Sequence, residues 1–338
     1  MTAPSLDANG GGLSAMPQGA APEAGTFERV TESEAYAVTA LGFEREMSTL
    51  HNRLQDWLYG CDAELKEAVD WQFLGGSKYF RPLTVFSCFK ARFPHAPEVP
   101  DQILRAAQGV EIFHNVSLVI DDILDKSDER RGRDTLQRRF GELQSLMASG
   151  YMMAEGYRAV IGDPHSLELL CELMTRLASA ECLQWRLRQM PLGVEDWRRI
   201  AGEDTGSMFE VCACLGDRSG DLRRYGHLLG LLYHGCDDVG DIRGAKALGG
   251  GGQEDLRDGI LTLPASFAIR DPDVARMFAA PNSTNIPMMA DAFAAVLPMA
   301  EAYLDQIADE AISEARTFSE FPEPLERLVS QTRQLSNK

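Results

Sequence analysis

Two short acidic runs carry the first chemistry in this 338-residue chain. Asp121-Asp122-Ile123-Leu124-Asp125 closes the apolar stretch Val110–Ile120, and Asp237-Asp238-Val239-Gly240-Asp241 follows the apolar stretch Leu228–Tyr233. In each, the first and last aspartates are i and i+4 and share one helix face. Like charges at that spacing repel, so a helix that keeps them beside an apolar stripe needs a compensating cation. Two such helices packed side by side in a bundle would aim Asp121, Asp122, Asp125, Asp237, Asp238 and Asp241 at one cavity mouth. Carboxylate oxygens are hard ligands that suit Mg²⁺. That ion takes one or two carboxylates and completes its shell with water and substrate phosphate.

Cations stand near this acidic set. Gly76-Ser77-Lys78-Tyr79-Phe80-Arg81-Pro82 puts Lys78 and Arg81 three apart at a helix start. There Arg81 can fork onto a phosphate and Lys78 supplies a point charge. Arg130 and Arg131 follow the first acidic run directly.

The elements that must position these residues read as helices. Apolar residues recur at three and four spacing over 40–58, 82–93, 102–125, 166–187, 222–242 and 286–316. Gly and Pro clusters at 94–100, 161–164, 190–193, 216–220 and 249–252 separate them. Strand alternation is nearly absent. We expect one all-α domain over 32–338, a bundle of roughly ten or more helices around a central cavity. Residues 1–31 are rich in Gly, Ala and Pro with few large apolar side chains, and we expect a disordered tail there.

Composition narrows the function. Net charge is 33 minus 51, or −18, which disfavours nucleic acid and anionic membranes as partners. No apolar run is long enough to span a bilayer, and no signal-peptide pattern opens the chain. The seven cysteines have no zinc-site spacing. They read as reduced core residues of a cytoplasmic protein.

The run His114–Gly141, HNVSLVIDDILDKSDERRGRDTLQRRFG, resembles the first aspartate-rich region of the trans-prenyl diphosphate synthases, which include the farnesyl and geranylgeranyl diphosphate synthases. GSKYFRPLTV resembles their isopentenyl diphosphate loop, DDVGD their second aspartate-rich region, and DLRDGILTLP (Asp255–Pro264) the segment after it. The motifs stand in family order across about residues 40–338. The resemblance implies the isoprenoid synthase fold, a cluster of three Mg²⁺ ions, isoprenoid diphosphate substrates and a homodimer. It assigns Asp121, Asp125 and Asp237 to direct metal ligation, and Asp122, Asp238 and Asp241 to orienting waters or ligands. Lys78, Arg81, His114 and Arg131 would hold isopentenyl diphosphate, and Arg130 would reach the allylic diphosphate. Thr205 falls near the reacting carbons, and His234 reads as a diphosphate or wall contact.

The chain also departs from that pattern. The family's lysine before the threonine is Asp204, and its lysine before Thr-Leu-Pro is Ile260. A third lysine corresponds to Gln253, and the family's Phe-Gln pair is Tyr233-His234. In the family these lysines grip and screen the allylic leaving group, so the metals, Arg130, Lys246 or His234 are the candidates to compensate. The implied chemistry is ionisation of an allylic diphosphate, capture of the cation by isopentenyl diphosphate and loss of a proton, with water excluded. Ser117, one turn below Asp121, and Val116 are small where farnesyl-producing relatives are often aromatic. Phe113 and Val110 lie two to three turns down, at about 5.4 Å per turn, as candidate floor residues. A product of twenty carbons or longer is expected. Two alternatives stay open: a class I terpene cyclase on the same fold, favoured by the lost lysines, and a non-catalytic subunit of a heteromeric synthase.

Overall fold

The structure, a computed structural model, describes residues 32–74, 77–244 and 252–337. The expected tail (1–31), Lys246 and most of the Gly-rich 249–252 stretch lie outside the described residues. Seventeen α-helices make up the described fold, with one strand pair, Glu129–Arg130 against Arg133–Asp134. The all-α expectation holds.

The first aspartate helix is Asp101–Asp125, and it packs on Phe80–Arg92 and Glu142–Ala159. The second is Arg223–Ile242, packed on Leu297–Phe318 and Ser207–Asp217. Between the two lies Ser207–Asp217, of which every residue is buried. Its sequence, SMFEVCACLGD, has no polar stripe, as expected of a helix enclosed on all sides. The core cluster extends from Ala37 to Leu335.

Two local features set the site. Ahead of Ser207–Asp217 the helix widens into a π-turn, Gly202–Gly206. Such a bulge lets one extra residue into the turn, and here it carries Asp204 and Thr205. Against it packs Gly230 of the second aspartate helix. A Cβ at 230 would lie 2.7 Å from the Gly206 Cα and from the Thr205 carbonyl. Only glycine lets the two backbones approach so closely, which brings Thr205 beside His234.

Sequence expectation and structure differ in places. The 286–316 stretch is two helices, Ile286–Ala295 and Leu297–Phe318. Pro298, which has no N–H to donate, sits in the first turn of the second. Lys66–Phe73, Glu142–Ala159 and Glu323–Arg333 are helices that the periodicity did not single out. The cysteine reading needs a correction. All seven thiols are free, but Cys171 and Cys182 are exposed on Pro164–Leu187 instead of lying in the core. Among the described residues no helix is long and apolar enough to cross a membrane.

Candidate active site

Each acidic run ends its helix, members of both lie within electrostatic reach of Asp255, and the carboxylates are not alike. Asp122 is 2% exposed and accepts a hydrogen bond from Arg130 Nε at 2.7 Å. A tight turn makes this possible. Lys126 ends the helix in the left-handed region (φ 55°), and Arg131 (φ 54°) with Gly132 (φ 75°) folds Arg130 back over Asp122. Gln137 Nε2 secures the junction by donating to the Asp122 carbonyl at 2.5 Å. Asp125 accepts from Arg188 Nη2 at 2.5 Å.

Asp238 is also structural in part. Its Oδ2 accepts from Trp197 Nε1 (2.8 Å) and from the Leu263 N–H (2.7 Å). Leu263 opens the Leu263–Ala268 helix, whose cap is Thr262. The Thr-Leu-Pro element is thus stitched to the second acidic run. Asp238, Asp241 and Asp255 line a common crevice.

The remaining acids crowd one another. Burial, then Glu181 and Asp204, lifts the Asp121 carboxyl well above its ordinary range, with Arg130 opposing. Burial raises Asp237 to about 6, against the pull of Lys78. Burial raises Asp255 strongly, reinforced by Asp238, Asp241, Asp125 and Asp237. Members of both acidic runs therefore lie within electrostatic reach of Asp255, as the spacing anticipated. Glu181 is pushed up to about 7 by burial, Asp204 and Asp125. Thr205 Oγ1 lies 2.9 Å from His234 Nδ1 and donates to Asp204 Oδ2 at 3.1 Å. Burial alone would lower the His234 pKa, but Asp238, Asp204, Asp237 and Glu181 together raise it.

The basic side is a separate cluster. Arg81 lies over Phe209 and Tyr233, 5.5 and 5.8 Å from the ring centroids. Its Nη1 donates to His114 Nε2 at 3.1 Å. Burial, then Arg81 and Arg131, keeps His114 far below the usual imidazole value. The ring is thus neutral, with its lone pair on Nε2. Glu111, 1% exposed, is raised by burial against the influence of Ser77, Arg81 and Arg131. Lys78 acts on Asp237, so it lies within electrostatic reach of the second acidic run.

Along the first aspartate helix, Val116 and Phe113 are fully buried. Phe113 stacks edge-on against Tyr157 at 4.8 Å. Ser117 is partly buried, and its Oγ donates to the His114 carbonyl at 2.9 Å. Four side chains of this site were not singled out from the sequence. Glu181, Arg188 and Trp197 belong to none of the motifs read from the sequence. Glu111 did leave a signal, a lone carboxylate inside the apolar 102–125 periodicity.

Repelling, desolvated carboxylates with hard oxygen donors fit divalent magnesium. Among the described residues no three acidic, histidine or cysteine groups are gathered as a ready-made ligand set. Comparisons with known proteins bear on the family and the fold. A family model described as polyprenyl synthetase matches residues 62–294. A prenyl transferase of Porphyra purpurea is 29% identical over 245 residues, 66% of this chain and 76% of its own. A nonaprenyl diphosphate synthase of Mycobacterium tuberculosis is 25% identical over 254 residues, 71% and 75% of the two chains. The crystal structure of a polyprenyl synthase from Caulobacter crescentus CB15, complexed with calcium and isoprenyl diphosphate, superposes with a TM-score of 0.77 at 24% identity. That match covers 89% of this chain and 97% of the other, and it shows a shared fold.

Proposed function

The chain belongs to the polyprenyl synthetase family, and from that premise we propose that it condenses an allylic diphosphate with isopentenyl diphosphate in a Mg²⁺-dependent reaction, giving a prenyl diphosphate of twenty carbons or longer. The observation that carries this reading is the meeting of both acidic runs around Asp255, beside the Arg81–His114–Arg131 cluster. A site with two diphosphates to hold needs both halves.

When bound, Mg²⁺ supplies charge neutralisation to the departing diphosphate. Asp121, Asp125 and Asp237 would hold the ions, and Asp241 and Asp255 stand beside them. Arg130, anchored on Asp122, faces the leaving group. Arg81, Arg131 and Lys78 hold isopentenyl diphosphate, and the neutral His114 keeps the Arg81 fork in place. The cation forms against the Val116–Ser117 face, where the packed helices exclude water. Its fate is capture by the isopentenyl double bond followed by loss of a proton. Small side chains at 116 and 117 leave room for a long chain, and Phe113 on Tyr157 is the candidate floor. We place the enzyme in the cytoplasm as a homodimer, on the family resemblance and the reduced thiols.

One observation favours a second reading, a class I terpene cyclase. Asp204 and Glu181 put two acids beside Thr205 and His234, where the resemblance leads one to expect a lysine. The deciding experiment incubates the protein with Mg²⁺ and farnesyl or geranylgeranyl diphosphate, with and without isopentenyl diphosphate. A longer diphosphate that forms only with isopentenyl diphosphate supports elongation. A hydrocarbon or alcohol formed without it means cyclisation. Turnover that needs a partner chain means a subunit role.

A further inference from the structure

Arg188 is the first residue past the Pro164–Leu187 helix. Its guanidinium lies 2.5 Å from Asp125 Oδ1 and 3.4 Å from Asp258 Oδ2. It stacks 3.9 Å above the Trp185 ring. Its Nε is buried and has no hydrogen-bond partner. A half-buried guanidinium whose buried Nε is an unused donor beside an acidic crevice calls for an acceptor.

The backbone holds this residue in place. The Gln189 N–H donates to the Gly259 carbonyl at 2.8 Å. Gln189 and Gly259 are both in the left-handed region, at φ 61° and 67°. A Cβ at 259 would lie 2.6 Å from the Gln189 Cγ and 2.9 Å from its backbone nitrogen. Residues 188–189 are therefore laid directly against 258–259, next to Ile260. Ile260 and Asp204 are two of the places where the family resemblance leads one to expect lysines at the allylic leaving group. Neither can supply a cation. Arg188 reaches the same mouth from a different helix and touches Asp125 of the first acidic run.

We propose that Arg188 grips the diphosphate of the allylic substrate, supplying from the end of the Pro164–Leu187 helix the positive charge that Asp204 and Ile260 do not. It has this role only if the site takes an allylic diphosphate, as proposed above. Once Asp125 turns to a metal ion, the Arg188 fork keeps its anchor on Asp258 and its stack on Trp185, and it presents Nη2 and Nε to phosphate oxygens. Arginine suits this better than lysine because its planar fork binds two oxygens at once.

The test uses the full chain and its Arg188→Gln and Arg188→Lys variants. Calorimetry measures inorganic pyrophosphate binding at fixed Mg²⁺ and, separately, Mg²⁺ binding alone. Steady-state assays give KM for the allylic and isopentenyl diphosphates. Loss of a charge-assisted contact should weaken pyrophosphate binding by about 10- to 100-fold in Arg188→Gln. Arg188→Lys should recover part of that loss. The allylic KM should rise while the isopentenyl KM stays within about twofold, and Mg²⁺ alone should bind as well or better, because Asp125 loses a competitor. Unchanged pyrophosphate affinity in Arg188→Gln overturns the proposal. So does a parallel loss of Mg²⁺ affinity and melting temperature, which would make Arg188 a strut for Asp125. A wild-type protein that binds no pyrophosphate with Mg²⁺ overturns the diphosphate reading itself, and this role with it.

Discussion

Replacing Glu181 by Gln should stabilise the metal-free protein at pH 8 and do little at pH 5. The folded carboxyl titrates at about 7, raised from an ordinary 4.5 by burial, Asp204 and Asp125. The native state therefore binds the proton more tightly than the unfolded chain, and stability falls as pH rises through the window from 4.5 to 7. At pH 8 Glu181 is ionised in both states, and the shift corresponds to an upper figure of about 3 kcal/mol at 1.36 kcal/mol per unit. At pH 5 the folded group is already neutral, and the difference shrinks below about 1 kcal/mol. Glutamine keeps the shape without the charge. With an unfolding entropy of about 2.1 cal/mol/K per residue, 3 kcal/mol moves the melting temperature of a chain this size by about 4 °C. Thermal melts in EDTA at pH 8 and pH 5 give the comparison. A variant that melts lower than wild type at pH 8, or gains the same amount at both pH values, would refute the electrostatic account of the crevice.

Arg130→Gln leaves the Asp122 carboxylate buried without its ion-pair partner. It should cost about 3–5 kcal/mol, with most of the loss recovered in the Arg130→Gln/Asp122→Asn double variant by denaturant melts. Ser117→Phe should shorten the prenyl product seen by chromatography while keeping turnover; an unchanged length would rule out this face as the ruler. Trp197→Phe removes a hydrogen bond to the buried Asp238 carboxylate. It should cost about 1.5–3 kcal/mol, and Asp238→Asn on that background should add less than it does alone.

The two acidic runs were legible because spacing and context coincide. An i, i+4 carboxylate pair after an apolar stretch is unfavourable twice over unless something binds it, and the structure sets members of both runs within electrostatic reach of Asp255. The Lys78–Arg81 signal was legible for a similar reason, two cations opening an otherwise buried helix. Periodicity gave the long helices, since a helix such as Asp101–Asp125 buries a continuous stripe. It failed where burial is not one-sided. Ser207–Asp217 is enclosed on all faces and has no stripe to read, and short helices such as Lys66–Phe73 offer too few turns. Glu181, Arg188 and Trp197 were illegible for another reason. Their roles come from what other segments bring to them, Asp204 through a π-turn, Gly259 through a left-handed loop, and Asp238 through a helix end far along the chain.

The enclosed helix Ser207–Asp217 also constrains how the chain matures on the ribosome. Its flanking surfaces come from Phe80–Arg92 and Pro164–Leu187, made before it, and from Arg223–Ile242, made after it. The last helix, Glu323–Arg333, in turn closes over Phe80–Arg92. More than a hundred residues separate Asp217 from Arg333. At roughly 5–20 residues per second, that is about 6 to 23 seconds of synthesis. Throughout that interval the face of Phe80–Arg92 that the last helix covers stays open, and Phe80–Arg92 in turn flanks the enclosed Ser207–Asp217, so this pair of helices is what a holding chaperone has to protect.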